Sequence, residues 1–402
     1  MPVLKWIWIV FQVLIGYNLV LPIVLFLFYQ LRKRSKALIS APAEADYGII
    51  VTAYEQVTSI PDVVASLLKL NYTNYLIYIV ADKCDVSSLH FTDPRVIILR
   101  PEETLASNTR SHFYAINRFK RPHERLTIID SDNLVEPEYL NELNKYFNQG
   151  FEAVQGIREA KNMNTTYACL DAARDIYYHF YDGKVLFNIG SSATLAGSGM
   201  AFTTQLYRDC LEHNDVSGAG FDKVLQAAIL SSNKRIAFTD KAIVYDEKTT
   251  QSDQLVKQRA RWINTWFKYF KYGFTMLGKS IKNFSLNQFV FGLILLRPPL
   301  FIFLILSVFC MLANIFISWT GVAVWMSGFI LFVLGFYIAL VKSDTDQRIW
   351  QSLVNIPKFI YFQILSLLKA RRANQHSVAT QHTYNSASGN VNMTDHESES
   401  IR

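Results

Sequence analysis

Two carboxylates one residue apart, Asp130 and Asp132, directly follow a short apolar stretch at residues 126–129. If that stretch is a buried strand, the pair lies at its mouth and can share a hard cation such as Mg²⁺ or Mn²⁺. Such ions usually take one or two protein carboxylates together with substrate phosphates. The cation would then neutralise the charge of a diphosphate leaving group. The pair is weak evidence alone, because Asp and Asn also start turns and cap helices.

Two other predicted strands also end in polar residues. Residues 47–53 run into Tyr54 and Gln56, and residues 75–81 run into Asp82. In a parallel sheet that is buried on both faces, ligands bind beyond the carboxyl ends of the strands. Three polar strand ends on one edge therefore indicate a binding site there.

Further candidates lie in the second half of the α/β region. The Gly-rich segment 196–202 contains Gly199, where the backbone could approach a ligand closely, although an ordinary turn explains it equally well. Asp222 precedes an apolar helical stretch. It is either an N-terminal helix residue favoured by the helix dipole or a general base.

Gln258, Arg261 and Trp262 fall on one face of a predicted helix, at spacings of three and four. A planar cation and an aromatic ring in this arrangement could hold a phosphate and stack on a sugar. The competing interpretation is an interfacial anchor, because an Arg–Trp pair just before a membrane segment is typical of one.

The elements that would position these residues alternate between strand-like and helix-like patterns. This alternation predicts an α/β domain with a mainly parallel sheet. The predicted strands cover residues 47–53, 75–81, 95–99 and 126–129, and the predicted helices between them cover residues 61–70 and 110–119.

Three long charge-free stretches indicate membrane helices. Residues 6–29 are long enough to cross a bilayer and exceed the apolar core of a cleaved signal peptide. Residues 300–319 and 322–341, separated by Thr320 and Gly321, predict a transmembrane hairpin. The basic cluster at residues 32–36 places the α/β domain in the cytoplasm, at the inner (plasma) membrane of a multi-pass protein.

The chain therefore divides into five predicted parts. They are a transmembrane anchor (1–31), a cytoplasmic α/β domain (32–282), an interfacial segment with the hairpin (283–342), an amphipathic interfacial helix or further span (343–372) and a disordered tail (373–402).

Composition agrees with a membrane protein that does not bind nucleic acid. Only 18% of the 402 residues are charged, against about 25% in soluble domains. The net charge of +7 comes mostly from scattered basic residues, and the compact basic clusters lie beside apolar runs. The four cysteines form no CxxC pair, which argues against a zinc site or a disulfide framework and fits a reducing compartment.

The order of these motifs resembles the inverting, processive-type family 2 glycosyltransferases, the group of cellulose, chitin and hyaluronan synthases. The motifs are Ala53-Tyr54-Glu55-Gln56, Asp82, Asp130-Ser131-Asp132, Gly197 to Phe202, Phe221-Asp222 and the QxxRW pattern Gln258 to Trp262. The resemblance covers residues 47–267 and implies a GT-A fold. It also implies a nucleotide-sugar donor, expected to be a UDP-sugar, and Mg²⁺ or Mn²⁺ as cofactor.

The resemblance assigns a role to each matching residue. Asp222 would be the catalytic base, and Asp132 the direct metal ligand with Asp130 beside it. The nucleotide sugar would be bound by Ala53, Tyr54, Gln56, Asp82, Arg110 and Asp130. The diphosphate and the acceptor would be held by Gly199, Gln258, Arg261 and Trp262.

Three positions depart from the family pattern: Phe221 stands where Glu is usual, Glu55 where Asn is usual, and Thr265 where Gly is common. The membrane region is also small for a product channel. Three functions therefore compete: extension of a polysaccharide or oligosaccharide, transfer of one sugar to a lipid carrier or other membrane-proximal acceptor, and a non-catalytic partner role. The sequence leaves the sugar, the linkage, and any oligomer or secretion partner open.

Overall fold

The computed structural model describes residues 2–32, 44–216 and 218–370. The predicted tail at 373–402 and most of the basic cluster at 32–36 lie outside these ranges. The strands are β1 (Tyr47–Tyr54), β2 (Tyr75–Asp82), β3 (Val96–Leu99), β4 (Arg125–Asp130), β5 (Leu134–Val135), β6 (Ala153–Ala160), β7 (Met200–Thr203) and β8 (Ile236–Asp246). The four strands predicted from the sequence are confirmed, each within one residue at either end.

The helices of the α/β region alternate with these strands. They are α2 (Ile60–Leu67), α3 (Asn108–Ile116), α4 (Tyr139–Phe147), α5 (Thr166–Tyr178), α6 (Leu186–Asn188), α7 (Thr204–Leu211), α8 (Phe221–Ser231), α9 (Ser252–Tyr269) and α10 (Lys271–Asn283), numbered after the N-terminal helix α1 (Pro2–Leu31). A π-helical stretch, His179–Val185, joins α5 to α6. Helix α3 begins two residues before the predicted start, because the Ser107 side chain caps its first turn.

One mixed, mostly parallel sheet carries the fold, in the order β3-β2-β1-β4-β7-β6-β8-β5. Strands β1 to β4 pair in parallel, whereas β7 runs antiparallel to both β4 and β6. The register sets Tyr54 opposite Asp82 and Thr52 opposite Asp130. The predicted α/β class is therefore confirmed, and the polar ends of β1, β2 and β4 lie side by side.

The sheet is buried on both faces, as its continuous apolar strands predict. Ile49 and Val51 pack into the core beneath α2 and α4, while Ile50 between them packs into the opposite core with α3 and α8. All three side chains are fully buried. Burial of one such side chain stabilises a fold by about 1.5–3 kcal/mol, so this double-sided core fixes the sheet edge firmly.

Three helices are long and apolar enough to cross a membrane: α1, α12 (Leu300–Ile317) and α13 (Trp319–Val341). Partly buried polar contacts join them, since Gln12 Oε1 accepts hydrogen bonds from Asn314 Nδ2 at 2.5 Å and Trp325 Nε1 at 2.8 Å. The hairpin breaks at Ser318, not at the predicted Thr320 and Gly321. The Ser318 hydroxyl accepts the Gly321 N–H and so caps α13.

Shorter helices connect these spans to the α/β domain. Helix α11 (Leu286–Leu296) ends where Arg297, Pro298 and Pro299 interrupt the chain, as expected from proline. After the hairpin come α14 (Gln347–Ser352), a 3₁₀ turn at Leu353–Asn355 and α15 (Ile356–Lys369). Helix α15 packs on α9, α12 and α5. It has 14 residues, fewer than the roughly 20 that a helical span needs.

Candidate functional site

A cavity of about 1100 Å³ opens at the carboxyl edge of the sheet and continues between α12, α13 and α15. Residues from distant parts of the sequence line it together. Those predicted from the sequence are Tyr54, Gln56, Asp130, Asp132, Asp222, Gln258, Arg261 and Trp262. The fold therefore brings eight of the twelve predicted site residues to one cavity.

The acidic pair at the end of β4 is held by a hydrogen-bond network. Asp132 is 5% exposed, and one of its carboxylate oxygens accepts from Asn133 Nδ2 at 3.2 Å. The same amide nitrogen lies 3.3 Å from Asp246, at the end of β8. Asn133 thus holds the Asp132 carboxylate close to that of Asp246, and both residues line the cavity together with Asp130.

Asp130 and Asp132 fit a divalent cation whose remaining ligands come from the substrate. Among the residues that the structure describes, no group of three His, Cys, Asp or Glu side chains forms a protein-only metal cage. Mg²⁺ in particular binds through one or two carboxylates, substrate phosphates and water. Asp130 and Asp132 offer that ligand set, and a phosphate-bearing ligand would supply the remainder.

Asp222 lies in the first turn of α8, on the cavity wall. Gly220 precedes the helix with φ of 105°, and a Cβ there would lie 2.5 Å from the Tyr269 ring, so only glycine fits. The Asp222 carboxylate is paired with Lys223 at 3.0 Å. The start of α8 thereby places the Asp222 carboxylate at the cavity wall, with the Lys223 ammonium group beside it.

The preceding residue, Phe221, belongs to the core. Its ring lies 5.0 Å from the buried His112 ring in an edge-to-face contact. A glutamate at this position would bring an unpaired carboxylate into an apolar environment. Phe221 therefore packs in the core at the position where the family pattern has glutamate.

Helix α9 carries Gln258, Arg261 and Trp262 into the cavity. Thr249 Oγ1 donates a hydrogen bond to Gln258 at 3.2 Å. Burial lowers the pKa of the Arg261 guanidinium from its ordinary value. Two guanidinium groups lie near the Trp262 indole, with Arg174 at 4.4 Å and Arg259 at 4.1 Å from its ring centroid. The three residues predicted to share one face of α9 therefore all line the cavity.

A group of buried charges lies beside the cavity, and the sequence motifs do not predict it. It consists of Arg158, Asp171, Arg174, Asp175, Asp246, Lys248 and Arg259. Lys248 bonds to Asp175 at 2.6 Å and to Asp246 at 2.8 Å, and Arg259 pairs with Asp171. Burial lowers the pKa of Arg259 to about 10, and the neighbouring Arg174 adds to the effect. Asp246 is the last residue of β8, as Asp82 is of β2. Its place at a strand end would have indicated the site if the sequence pattern had predicted β8.

Four predicted residues lie away from the cavity lining. The Asp82 carboxylate accepts hydrogen bonds from the backbone N–H groups of Leu105 at 2.9 Å and Ala106 at 2.7 Å. Arg110 pairs with Asp215 at the surface. Their ligand-binding roles stay predictions, and in this structure both fasten the segment around the start of α3.

The other two predicted residues, Ala53 and Gly199, have structural roles in the strands. Ala53 is buried within β1. Gly199 has φ of 65°, and a Cβ there would lie 2.8 Å from Val244, so glycine allows the strand to pack closely. Its neighbour Gly197 does line the cavity. The glycine-rich segment thus meets the site through its first glycine.

Comparison with known proteins gives one family and one shared fold. A family model described as glycosyltransferase-like family 2 matches residues 43–265. The mannosyltransferase PcManGT from Pyrobaculum calidifontis, solved with GDP-Man and Mn²⁺, is 14% identical with a TM-score of 0.56, covering 89% of this chain and 97% of that one. TarS 1–349 from S. aureus, solved with UDP-GlcNAc, is 13% identical over 82% of this chain and 90% of that one, with a TM-score of 0.41. No curated protein matches the chain significantly.

Proposed function

The chain belongs to glycosyltransferase-like family 2, and from this premise we propose that it transfers a sugar from a nucleotide sugar to an acceptor hydroxyl, with inversion at the anomeric carbon. One observation carries the proposal: Asp130, Asp132, Asp222 and Arg261 line a single cavity. These residues supply the groups that such a displacement needs, namely a base, a cation site and a positive charge for the leaving group.

Asp222 acts as the base in this proposal. It takes the proton of the acceptor hydroxyl, whose oxygen attacks the anomeric carbon from the side opposite the diphosphate. The bond from that carbon to the diphosphate oxygen breaks, and the nucleoside diphosphate leaves. Arg261 stabilises the negative charge that develops on it. Asp130 and Asp132 would hold Mg²⁺ or Mn²⁺, which when bound neutralises charge on the diphosphate.

The donor is a nucleotide sugar, with a UDP-sugar expected from the sequence motifs. Tyr54 and Gln56 line the cavity at the end of β1, where a nucleotide would enter beyond the strand ends. PcManGT was solved with GDP-Man and Mn²⁺, which supports a nucleotide sugar with a divalent cation and brings GDP-sugars into the donor panel. Gln258 and Trp262 would contact the acceptor end.

The reaction is proposed to take place at the cytoplasmic face of the inner (plasma) membrane. Support comes from the three apolar helices and from the basic residues that follow the first of them. Both earlier acceptor hypotheses, a growing glycan and a lipid carrier, place the acceptor at this surface. The cavity that continues between α12, α13 and α15 favours the lipid carrier.

The test is donor turnover by the full-length protein in vesicles. UDP-sugars and GDP-mannose are supplied with Mn²⁺ or Mg²⁺, and nucleoside diphosphate release and product length are measured together. Asp222→Asn should reduce transfer at least about 100-fold while donor affinity changes little. Asp209→Asn, at an exposed carboxylate on α7, is the matched control.

Two results would contradict the proposal. Robust turnover by Asp222→Asn removes that residue as the base. A wild-type protein that releases no nucleoside diphosphate from any donor, although it binds one, supports the non-catalytic role instead.

A further inference from the structure

The cavity has a polar half and an apolar half. Beyond Trp262 it is lined by residues of α12, α13 and α15 and by the short turn before α15. Among these lining residues only Tyr337 and Gln363 have polar side chains, and none is charged. The apolar wall includes Leu304, Phe329, Phe332, Phe336, Phe359 and Ile360.

This wall distinguishes between two kinds of acceptor. A polysaccharide presents hydroxyl groups on all sides, and each one buried without a partner is costly. A hydrocarbon chain needs no hydrogen bonds and gains from burial against such side chains. The two spans that form the wall are also the helices that would contact the bilayer. The apolar half therefore favours a lipid chain over a glycan chain.

Two guanidinium groups beside Trp262, those of Arg174 and Arg259, form what we call the candidate anion site. The guanidinium groups of Arg174 and Arg259 lie 4.4 and 4.1 Å from the centroid of the Trp262 ring, and both residues line the cavity. Arg259 is 3% exposed. Within the described part of the chain, Nε of Arg174 and both Nε and Nη1 of Arg259 are buried and have no hydrogen-bond partner. The Nη2 groups of both arginines are already paired, Arg174 with Asp171 and Asp175 and Arg259 with Asp171. The remaining buried donors are those that a phosphate at this end of the cavity would satisfy.

The position of this anion site is set by α5. The Arg174 guanidinium lies 5.7 Å from the Tyr178 ring, and the Arg297 guanidinium lies 5.4 Å from the same ring. Arg297 directly precedes the two prolines at the start of α12. Arg174, and with it the anion site that it forms with Arg259, therefore lies near the junction between the α/β domain and the membrane helices. The head group of a lipid would lie at this junction.

We infer that the acceptor is a sugar linked through phosphate to a lipid, with its hydrocarbon chain in the apolar half, its phosphate at Arg174 and Arg259, and a sugar hydroxyl towards Asp222. The inference rests on the proposed function. A bare lipid phosphate is mostly a dianion at pH 7, since its second pKa is about 6, and its oxygen needs no base. A sugar hydroxyl keeps its proton until a base such as Asp222 removes it. That hydroxyl oxygen forms the new bond to the anomeric carbon, its proton goes to Asp222, and the nucleoside diphosphate leaves.

The test compares acceptors that differ in one feature. A panel of hexoses and N-acetylhexosamines is joined to an undecyl chain, either directly as a neutral glycoside or through a diphosphate, and free oligosaccharides form a third set. The wild-type protein should show a KM for the diphosphate-linked acceptors at least about tenfold lower than for the neutral glycosides. Equal KM values for the two would overturn the phosphate assignment. Extension of free oligosaccharides into long products would overturn the lipid assignment.

Variants then separate the two halves of the cavity. Arg174→Gln should raise the KM for diphosphate-linked acceptors about tenfold and leave the KM for the donor and for neutral glycosides unchanged; a raised donor KM would instead assign Arg174 to the donor. Leu304→Trp, which fills the apolar half, should raise the KM of both lipid acceptors. Val324→Trp, at a 66% exposed position of α13, is the control. An unchanged KM for both lipids in Leu304→Trp would contradict a chain in this half.

Failure of this inference is distinguishable from failure of the proposed function. Donor binding to Asp222→Asn, and slow nucleoside diphosphate release from the wild-type protein without acceptor, need neither the anion site nor the apolar half. If both persist while the acceptor comparisons fail, only the lipid-linked acceptor is wrong.

Discussion

The backbone N–H of Asp130 donates a hydrogen bond of 3.0 Å to the hydroxyl oxygen of Ser198. Ser198 is fully buried and in turn donates to Asn133 Oδ1 at 2.6 Å, while the amide of Asn133 contacts Asp132 at 3.2 Å. One serine of the glycine-rich segment thus sets the position of both carboxylates. The segment 196–202 contributes to the site through this side chain as well as through its glycines.

Ser198→Ala should therefore weaken metal dependence without removing a ligand. A hydrogen bond of this kind is worth about 1 kcal/mol, so the Mn²⁺ concentration for half-maximal nucleoside diphosphate release should rise about fivefold. Ser232→Ala, at an exposed serine after α8, is the control. An unchanged Mn²⁺ dependence in Ser198→Ala would mean that the network does not position the acidic pair.

Asp82→Asn tests what the carboxylate at the end of β2 does. Because that carboxylate accepts the N–H groups of Leu105 and Ala106, the variant should increase amide hydrogen exchange at these two positions. UDP and GDP affinities are measured alongside. A loss of UDP affinity with unchanged GDP affinity would support a contact between Asp82 and the uracil base, within its predicted role in nucleotide-sugar binding. Unchanged exchange would show that the two hydrogen bonds do not hold the loop.

The sheet edge was predictable because its signals are local. The apolar stretches at 47–53, 75–81 and 126–129 fix three strands, and the rule that ligands bind beyond parallel strand ends then selects Asp130 and Asp132. Strands β6 and β8 were missed, since charged or polar residues such as Arg158 and Lys241 interrupt their apolar pattern. Polar residues are consistent with the partial exposure of these strands, but they break the apolar pattern from which a strand is predicted.

Side-chain partners could not be predicted, because they depend on packing between distant elements. The sequence indicates which residues of α9 share a face, but Arg259 is buried through its pairing with Asp171 on α5. The position of Asp82 at a strand end predicts that it binds the ligand. In the structure its carboxylate instead accepts backbone hydrogen bonds from Leu105 and Ala106. Residue type and spacing thus locate the site, and tertiary contacts decide which side chains enter it.

The buried His112 predicts a pH dependence of stability. Burial lowers its pKa to about 3, compared with about 6.5 in an unfolded chain, and its Nδ1 contacts the Tyr207 hydroxyl at 2.7 Å. Below pH 6.5 the unfolded chain binds a proton that the native state excludes. The free energy of unfolding should therefore fall by about 1.4 kcal/mol per pH unit from this residue, until the native pKa is reached.

His112→Asn, which keeps a polar atom near the Nδ1 position, should reduce this dependence. Thermal unfolding of the detergent-solubilised protein is compared at pH 7 and pH 5, where the wild-type protein should lose about 2 kcal/mol through His112. If the variant loses as much stability as the wild-type protein between these two pH values, the dependence comes from other groups. The contact of His112 with Phe221 would then have no part in acid sensitivity.

The outward face of α10 carries exposed apolar side chains beside lysines. Phe274 and Ile281, two turns apart on α10, are 61% and 76% exposed, and Lys271 and Lys282 are exposed beside them. No Asp or Glu occurs between Asp253 and Asp344. Exposed aromatic and aliphatic side chains flanked by lysines are typical of a helix that lies in the interface of an anionic membrane.

Phe274→Cys, labelled with an environment-sensitive fluorophore, should therefore report an apolar environment in proteoliposomes. The four native cysteines are buried, so labelling is selective. The emission should shift to the blue relative to Glu212→Cys, an exposed residue after α7, and the shift should grow when anionic lipid replaces neutral lipid. Identical emission from the two sites would mean that α10 faces water. Because α9 runs into α10 within two residues, a helix lying in the interface would also hold the cavity of Trp262 at the depth of lipid head groups.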